Sequence, residues 1–112
     1  GTGLPFQGKR DHEQVAKELL PVMKECAGVR RIGAASLDLC YVACGRFDAY
    51  WEHQLHPWDV AAGVVIVREA GGIVTRLSGA ADPLPHTDIL ATSAAANSST
   101  MQLLNQSIKA LE

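Results

Sequence analysis

Trp58-Asp59-Val60-Ala61-Ala62-Gly63-Val64-Val65-Ile66-Val67-Arg68-Glu69-Ala70-Gly71-Gly72 sets one acid at the head of an apolar run that paired glycines close. Val64 to Val67 would suit a buried strand, but the thirteen residues from Trp58 to Ala70 are long for one. Pro57 ahead of the run and Gly71-Gly72 behind it punctuate a helix. The stretch is therefore read as a helix and, being apolar all round, as one buried on nearly all sides. Asp59 then stands where the helix begins. A first turn leaves backbone N–H groups unpaired and carries about half a positive charge, which favours a carboxylate or phosphate there. Asp59 is either an N-terminal cap or an acid with a ligand.

Outward from this helix, the chain alternates. Asp11, with Gln14 three residues on, opens a helical pattern whose stripe is Val15, Leu19, Val22, Met23 and Cys26; Pro21 should kink or split it, and Gly28 ends it. Gly1 to Lys9 reads as an extended entry with a turn near Gly8. Val29 to Gly33 reads as a short strand, Ala35 to Cys44 as a helix, and Phe47 to Glu52 as a strand with Phe47, Ala49 and Trp51 on one side and Asp48, Tyr50 and Glu52 on the other. Ile73 to Leu77 and Ile89 to Ser93 follow as strands, and Ser98 or Ser99 caps a last helix carrying Met101, Leu104, Ile108 and Leu111. Alternation of this kind predicts an α/β domain, residues 1–112, with a mostly parallel sheet sandwiched between helices.

Composition narrows the classes. The chain has 112 residues, 47% of them hydrophobic and 20% charged, with a net charge of -2, so it can own a core and carries no basic footprint for nucleic acid. No run is long and apolar enough for a membrane span and no signal pattern opens the chain, which makes a cytoplasmic location the default. The three cysteines, Cys26, Cys40 and Cys44, lack metal-site spacing and read as reduced, buried side chains. In Glu52-His53-Gln54-Leu55-His56 the acid precedes the first histidine on a strand end, so the segment is not read as a zinc site; His12 and His86 read as surface residues.

In open α/β sheets ligands gather beyond strand ends, where loops and helix starts converge. The small-residue turn Gly33-Ala34-Ala35, Glu52 at its strand end, and Asp59 have that placement. On local grounds alone, a tight turn, a solvated acid and a helix cap are the readings that explain them better. Taken together, Gly33-Ala34-Ala35-Ser36-Leu37-Asp38-Leu39-Cys40, Gly45-Arg46-Phe47-Asp48-Ala49-Tyr50-Trp51-Glu52, His56-Pro57-Trp58-Asp59-Val60-Ala61-Ala62-Gly63 and Glu69-Ala70-Gly71-Gly72 resemble the C-terminal half of the bacterial inositol monophosphatase family, among the Mg-dependent, lithium-sensitive phosphatases. Thr2-Gly3-Leu4-Pro5-Phe6 extends the likeness over nearly the whole chain.

The resemblance implies hydrolysis of a phosphate monoester by a metal-activated water. It implies main-chain substrate contacts from Gly33, Ala34 and Ala35, a sugar or inositol hydroxyl on Glu52, and Asp59 touching both Mg²⁺ and substrate. The family's other metal ligands lie in an N-terminal acidic segment. Ala81-Asp82-Pro83-Leu84-Pro85 shares only three of its letters and reads as a surface turn. One carboxylate is a weak Mg²⁺ site. The expectation is a substrate-recognising half, inactive alone, whose partner is the missing N-terminal half or another copy of the chain. Inositol monophosphate is the expected substrate, with histidinol phosphate, a fructose bisphosphate or a nucleotide 3′-phosphate as alternatives. A non-catalytic interaction domain with the same fold is the other reading.

Overall fold

The structure, a computed structural model, describes residues 1–3, 12–81, 83 and 88–96 together with positions 102 and 106. Of the helix expected after Ser98 or Ser99 only Gln102 and Gln106 are described, both helical; Ser98, Ser99, the turn near Gly8, Asp11 as a cap, Asp82 and His86 lie outside the described residues. Helices α1, α2 and α3 are His12–Glu25, Ala35–Ala43 and Pro57–Glu69, and strands β1, β2 and β3 are Ala49–Glu52, Ile73–Thr75 and Ile89–Thr92.

The three strands form one sheet in the order β1-β3-β2. β3 is antiparallel to both neighbours, with Tyr50 opposite Ala91 on one side and Val74 opposite Ala91 on the other. The expected mostly parallel sheet is thus corrected among the described residues. β1 and β2 do run the same way, as a strand–helix–strand unit through α3 requires, but β3 inserts between them. The signal was present: no helical pattern separates β2 from β3, and without a crossover helix two neighbouring strands must pair antiparallel. The strand expected at Val29 to Gly33 does not form either. Its Arg30 carbonyl accepts one bond from the Thr2 N–H at 2.9 Å, and Thr2 in turn makes an isolated parallel bridge to Trp51.

The sheet lies between helices, as expected. On one face Tyr50, Ile89, Ala91 and Val74 pack with Leu39 and Val42 of α2 and Val60, Val64 and Val67 of α3. On the other, Trp51, Leu90 and Leu77 pack with Val22 of α1. Alternation along β1 therefore separates two interior faces rather than inside from outside. α1 continues past Pro21 instead of splitting, because Val15 and Val22, on either side of the proline, are both buried. Glu18 lies on the same buried face, and the His53 imidazole approaches its carboxylate to 3.0 Å. Met23, assigned to the apolar stripe, is 56% exposed.

α2 and α3 cross closely at Gly63, where any Cβ would collide with the Leu39 side chain. That contact sets which face of α3 turns inward: Val60, Gly63, Val64 and Val67 are buried. The opposite face is bare, with Trp58 77%, Val65 59% and Ile66 44% exposed. The expectation that α3 is buried on nearly all sides is corrected to one side, since only one face meets the sheet and α2. Cys26 and Cys40 are half-buried, whereas Cys44, capping the end of α2, is exposed rather than buried; all three thiols are free. Among the described residues no helix is long and apolar enough to cross a membrane.

Candidate functional site

Short connections decide what meets at the end of β1. α2 passes into β1 through residues 44–48, and β1 into α3 through residues 53–56. Each reversal is tight, so both helices begin beside the C-terminal end of β1. The turn before α2, Glu52 and Asp59 are thereby brought to one end of the sheet.

Gly33 has φ of 87°, in the left-handed region that turns the chain into α2 without steric cost. Ala34 is the N-cap and offers no side-chain oxygen. Its carbonyl accepts from the N–H groups of Leu37 and Asp38, each at 3.1 Å, leaving the very first turn without a side-chain cap. Gly33 is exposed and Ala34 and Ala35 are half-buried.

Glu52 is half-buried, and its Oε1 accepts a bond from the Tyr50 hydroxyl at 2.6 Å. Residues two apart on a strand share a face, which is why these side chains meet. Tyr50 is completely buried. Burial, the bond to Glu52 and the charges of Glu52, Asp38 and Asp59 push its ionisation far above the ordinary phenol range. The hydroxyl is a permanent donor.

Asp59 is the third residue of α3, within its first turn, rather than its cap; His56 is the N-cap residue. The Asp59 Oδ2 accepts from the His56 N–H at 3.0 Å, half of a capping-box arrangement, and the Asp59 N–H donates to the His56 carbonyl at 2.9 Å. The imidazole of His56 stacks on Trp58 at 4.4 Å. His53 faces Glu18 instead, so the two histidines serve different contacts.

Sequence reasoning passed over Asp38. It belongs to the first turn of α2 and is 1% exposed, with neither carboxylate oxygen hydrogen-bonded. Burial, reinforced by the charge of Glu52 and opposed by the Gly1 ammonium, raises its pKa to about 6. Its signal was an acid three residues past a helix start in an otherwise apolar segment. Tyr50 was missed too, although its place beside Glu52 on the strand face was legible.

Asp88, by contrast, is spent. Its Oδ1 accepts from Arg76 at 3.2 and 3.0 Å and its Oδ2 from the Leu77 N–H at 2.8 Å. Burial pushes its pKa up, but these bonds and the Arg76 charge outweigh it and hold the group below the ordinary range.

A magnesium ion needs several oxygen donors. Among the described residues no three His, Cys, Asp or Glu side chains are grouped to hold a metal. Asp59, exposed and with one oxygen already bonded, offers the right chemistry as a single donor and no more. The chain does not by itself fit the ion.

Comparison with known proteins places the chain among relatives. Residues 2–112 match the inositol monophosphatase family. The inositol-1-monophosphatase of Caulobacter vibrioides is 59% identical over 76 residues, covering 68% of this chain and 30% of that protein. The Nus factor SuhB of Vibrio cholerae is 48% identical over 92 residues, covering 82% of this chain and 34% of that protein. Among solved structures, the extragenic suppressor protein suhB from Bartonella henselae superposes with a TM-score of 0.85 at 42% identity, over 96% of this chain and 40% of that one. The match thus spans 30% to 34% of the length of these curated relatives.

Proposed function

This chain belongs to the inositol monophosphatase family, and on that premise we propose that it is the C-terminal, substrate-recognising part of a Mg-dependent phosphatase hydrolysing inositol monophosphate in the cytoplasm. Glu52 accepts a ring hydroxyl, main-chain N–H groups from Gly33 to Ala35 face the phosphate ester, and Asp59 lends one oxygen to the metal and contacts the substrate. The observation that carries this reading is that Glu52, bonded to the Tyr50 hydroxyl at the end of β1, and Asp59, in the first turn of α3, are joined by the short connection of residues 53–56, while no group of three metal-binding side chains forms among the described residues.

The test is phosphate release from inositol 1-phosphate with Mg²⁺. The 112-residue chain alone should give no turnover. Adding the separately produced N-terminal part of the Bartonella henselae relative should restore it, and Asp59→Ala should abolish what is restored. Turnover by the chain alone would mean that it closes a metal site unaided, and would sink the proposal. A parallel panel of histidinol phosphate, fructose 1,6-bisphosphate and a nucleotide 3′-phosphate decides among substrates.

A second reading is an interaction module of the same fold. It is favoured by the bare apolar face of α3 and by relatives named Nus factor SuhB. Failure of complementation with a well-folded chain would move the balance towards it.

A further inference from the structure

Glu52 is held from two directions. The Tyr50 hydroxyl donates to its Oε1 at 2.6 Å, and the Gly3 backbone passes so close to its carboxylate that a Cβ on Gly3 would collide with it. The donor itself cannot drift, because Tyr50 is fully buried among Leu39, Val60, Val64 and Ala91. A strand-end glutamate normally samples several rotamers; this one is fixed by a buried phenol below and a main chain beside it.

The pairing also divides the labour of the two carboxylate oxygens. A phenol bond to Oε1 leaves Oε2 as a pure acceptor, so what completes Glu52 is a donor. The charge on Glu52 itself disfavours a phosphate or carboxylate at Oε2 and favours a neutral hydroxyl there. We propose that Tyr50 is a positioning residue, whose hydroxyl locks Glu52 in the single orientation in which its free oxygen can accept the ring hydroxyl. The proposal rests on the phosphatase reading for its ligand, but the lock itself is independent of it.

Two measurements separate them. In the chain carrying ¹³C-labelled glutamates, the Glu52 carboxyl resonance is assigned by its loss in Glu52→Gln. Tyr50→Phe, which keeps the ring and its packing, should shift that resonance and leave the other glutamates in place. An unmoved Glu52 signal in a folded Tyr50→Phe protein overturns the lock. Titration of the enzyme complemented with the N-terminal part and Mg²⁺, using inositol 1-phosphate and inorganic phosphate, then reads the consequence. Losing a charge-assisted bond should weaken inositol 1-phosphate about tenfold in Tyr50→Phe and leave inorganic phosphate unchanged. In a Glu52→Gln background the same substitution should have no further effect. Equal weakening with and without Glu52 would make Tyr50 merely structural and overturn the positioning role. A Glu52 signal that responds to Tyr50→Phe in an enzyme that, even when complemented with the N-terminal part and Mg²⁺, binds no inositol 1-phosphate would uphold the lock and refute the phosphatase reading beneath it. Gly3→Ala, whose Cβ would crowd the carboxylate, should shift the same resonance, and an unmoved signal would overturn the main-chain half of the clamp.

Discussion

At the scale of the residue, Asp59 and Asp38 show how burial divides two acids of like chemistry. Asp59 is exposed and accepts the N–H of His56, so the cap and the proposed ligand are compatible: one oxygen bonds the backbone while the other has no partner among the described residues. Asp59→Ala should cost about 1 kcal/mol as a lost helix-start bond, read by urea denaturation, and abolish turnover in the complemented enzyme. Wild-type turnover in that variant would remove Asp59 from the metal. Asp38 is the opposite case, buried without a hydrogen bond. Its pKa is raised from 3.8 to about 6, so the fold prefers the protonated acid. Stability from this group is therefore complete below its unfolded value and is lost as pH rises through the folded one. From the size of the shift, the loss is roughly 3 kcal/mol by neutral pH. Asp38→Asn should remove that slope, so the difference in unfolding free energy between wild type and variant should change between pH 4 and pH 7 and level off beyond. A difference independent of pH would show that Asp38 does not titrate in this window.

At the scale of the element, the two helix starts owe their convergence to the α2–α3 crossing, and that crossing depends on Gly63. Glycine inside a helix ordinarily costs up to about 1 kcal/mol relative to alanine. Here the Cβ would meet Leu39, and overpacking of that kind costs about 1–3 kcal/mol. Gly63→Ala should thus destabilise despite its better helix propensity, by about 1 kcal/mol net in chemical denaturation; a stabilised variant would show that Leu39 yields freely. Element types were legible because their periods are strong: α2, α3 and all three strands appear within a few residues of the expected spans. What local pattern could not supply was pairing. Val29 to Gly33 has strand composition, yet composition does not provide the neighbouring main chain that makes a ladder. The same gap explains the sheet direction, for β3 was recognised as a strand while its insertion between β1 and β2 was not.

At the scale of the whole molecule, the outer face of α3 is the feature that the fold leaves open. Trp58, Val65 and Ile66 stand exposed on a helix whose sequence is apolar all round, and apolar patches of this kind drive association. The isolated chain should self-associate at micromolar concentrations, and Val65→Glu with Ile66→Lys should restore a monomer with little change in unfolding free energy, because neither side chain contributes to the core. Sedimentation velocity checks both. A wild-type monomer with no concentration dependence would mean that the face is tolerated in water and would weaken the picture of a part awaiting its complement.

The sequence by itself determined the helices, the strands, the layered α/β class and the family, since these depend on local period, capping and an ordered set of motifs. It also marked Glu52 and Asp59 as the acids to watch, because each ends or begins an element. Tertiary structure alone decided the order and direction of the strands, the side of α3 that is buried, and the company those acids keep. The Tyr50 hydroxyl reaches Glu52 within one strand, but Asp38 and Asp59 approach it from two different helices, and only the α2–α3 crossing at Gly63 brings those helices together. Distances between elements follow from packing, and no linear pattern encodes them.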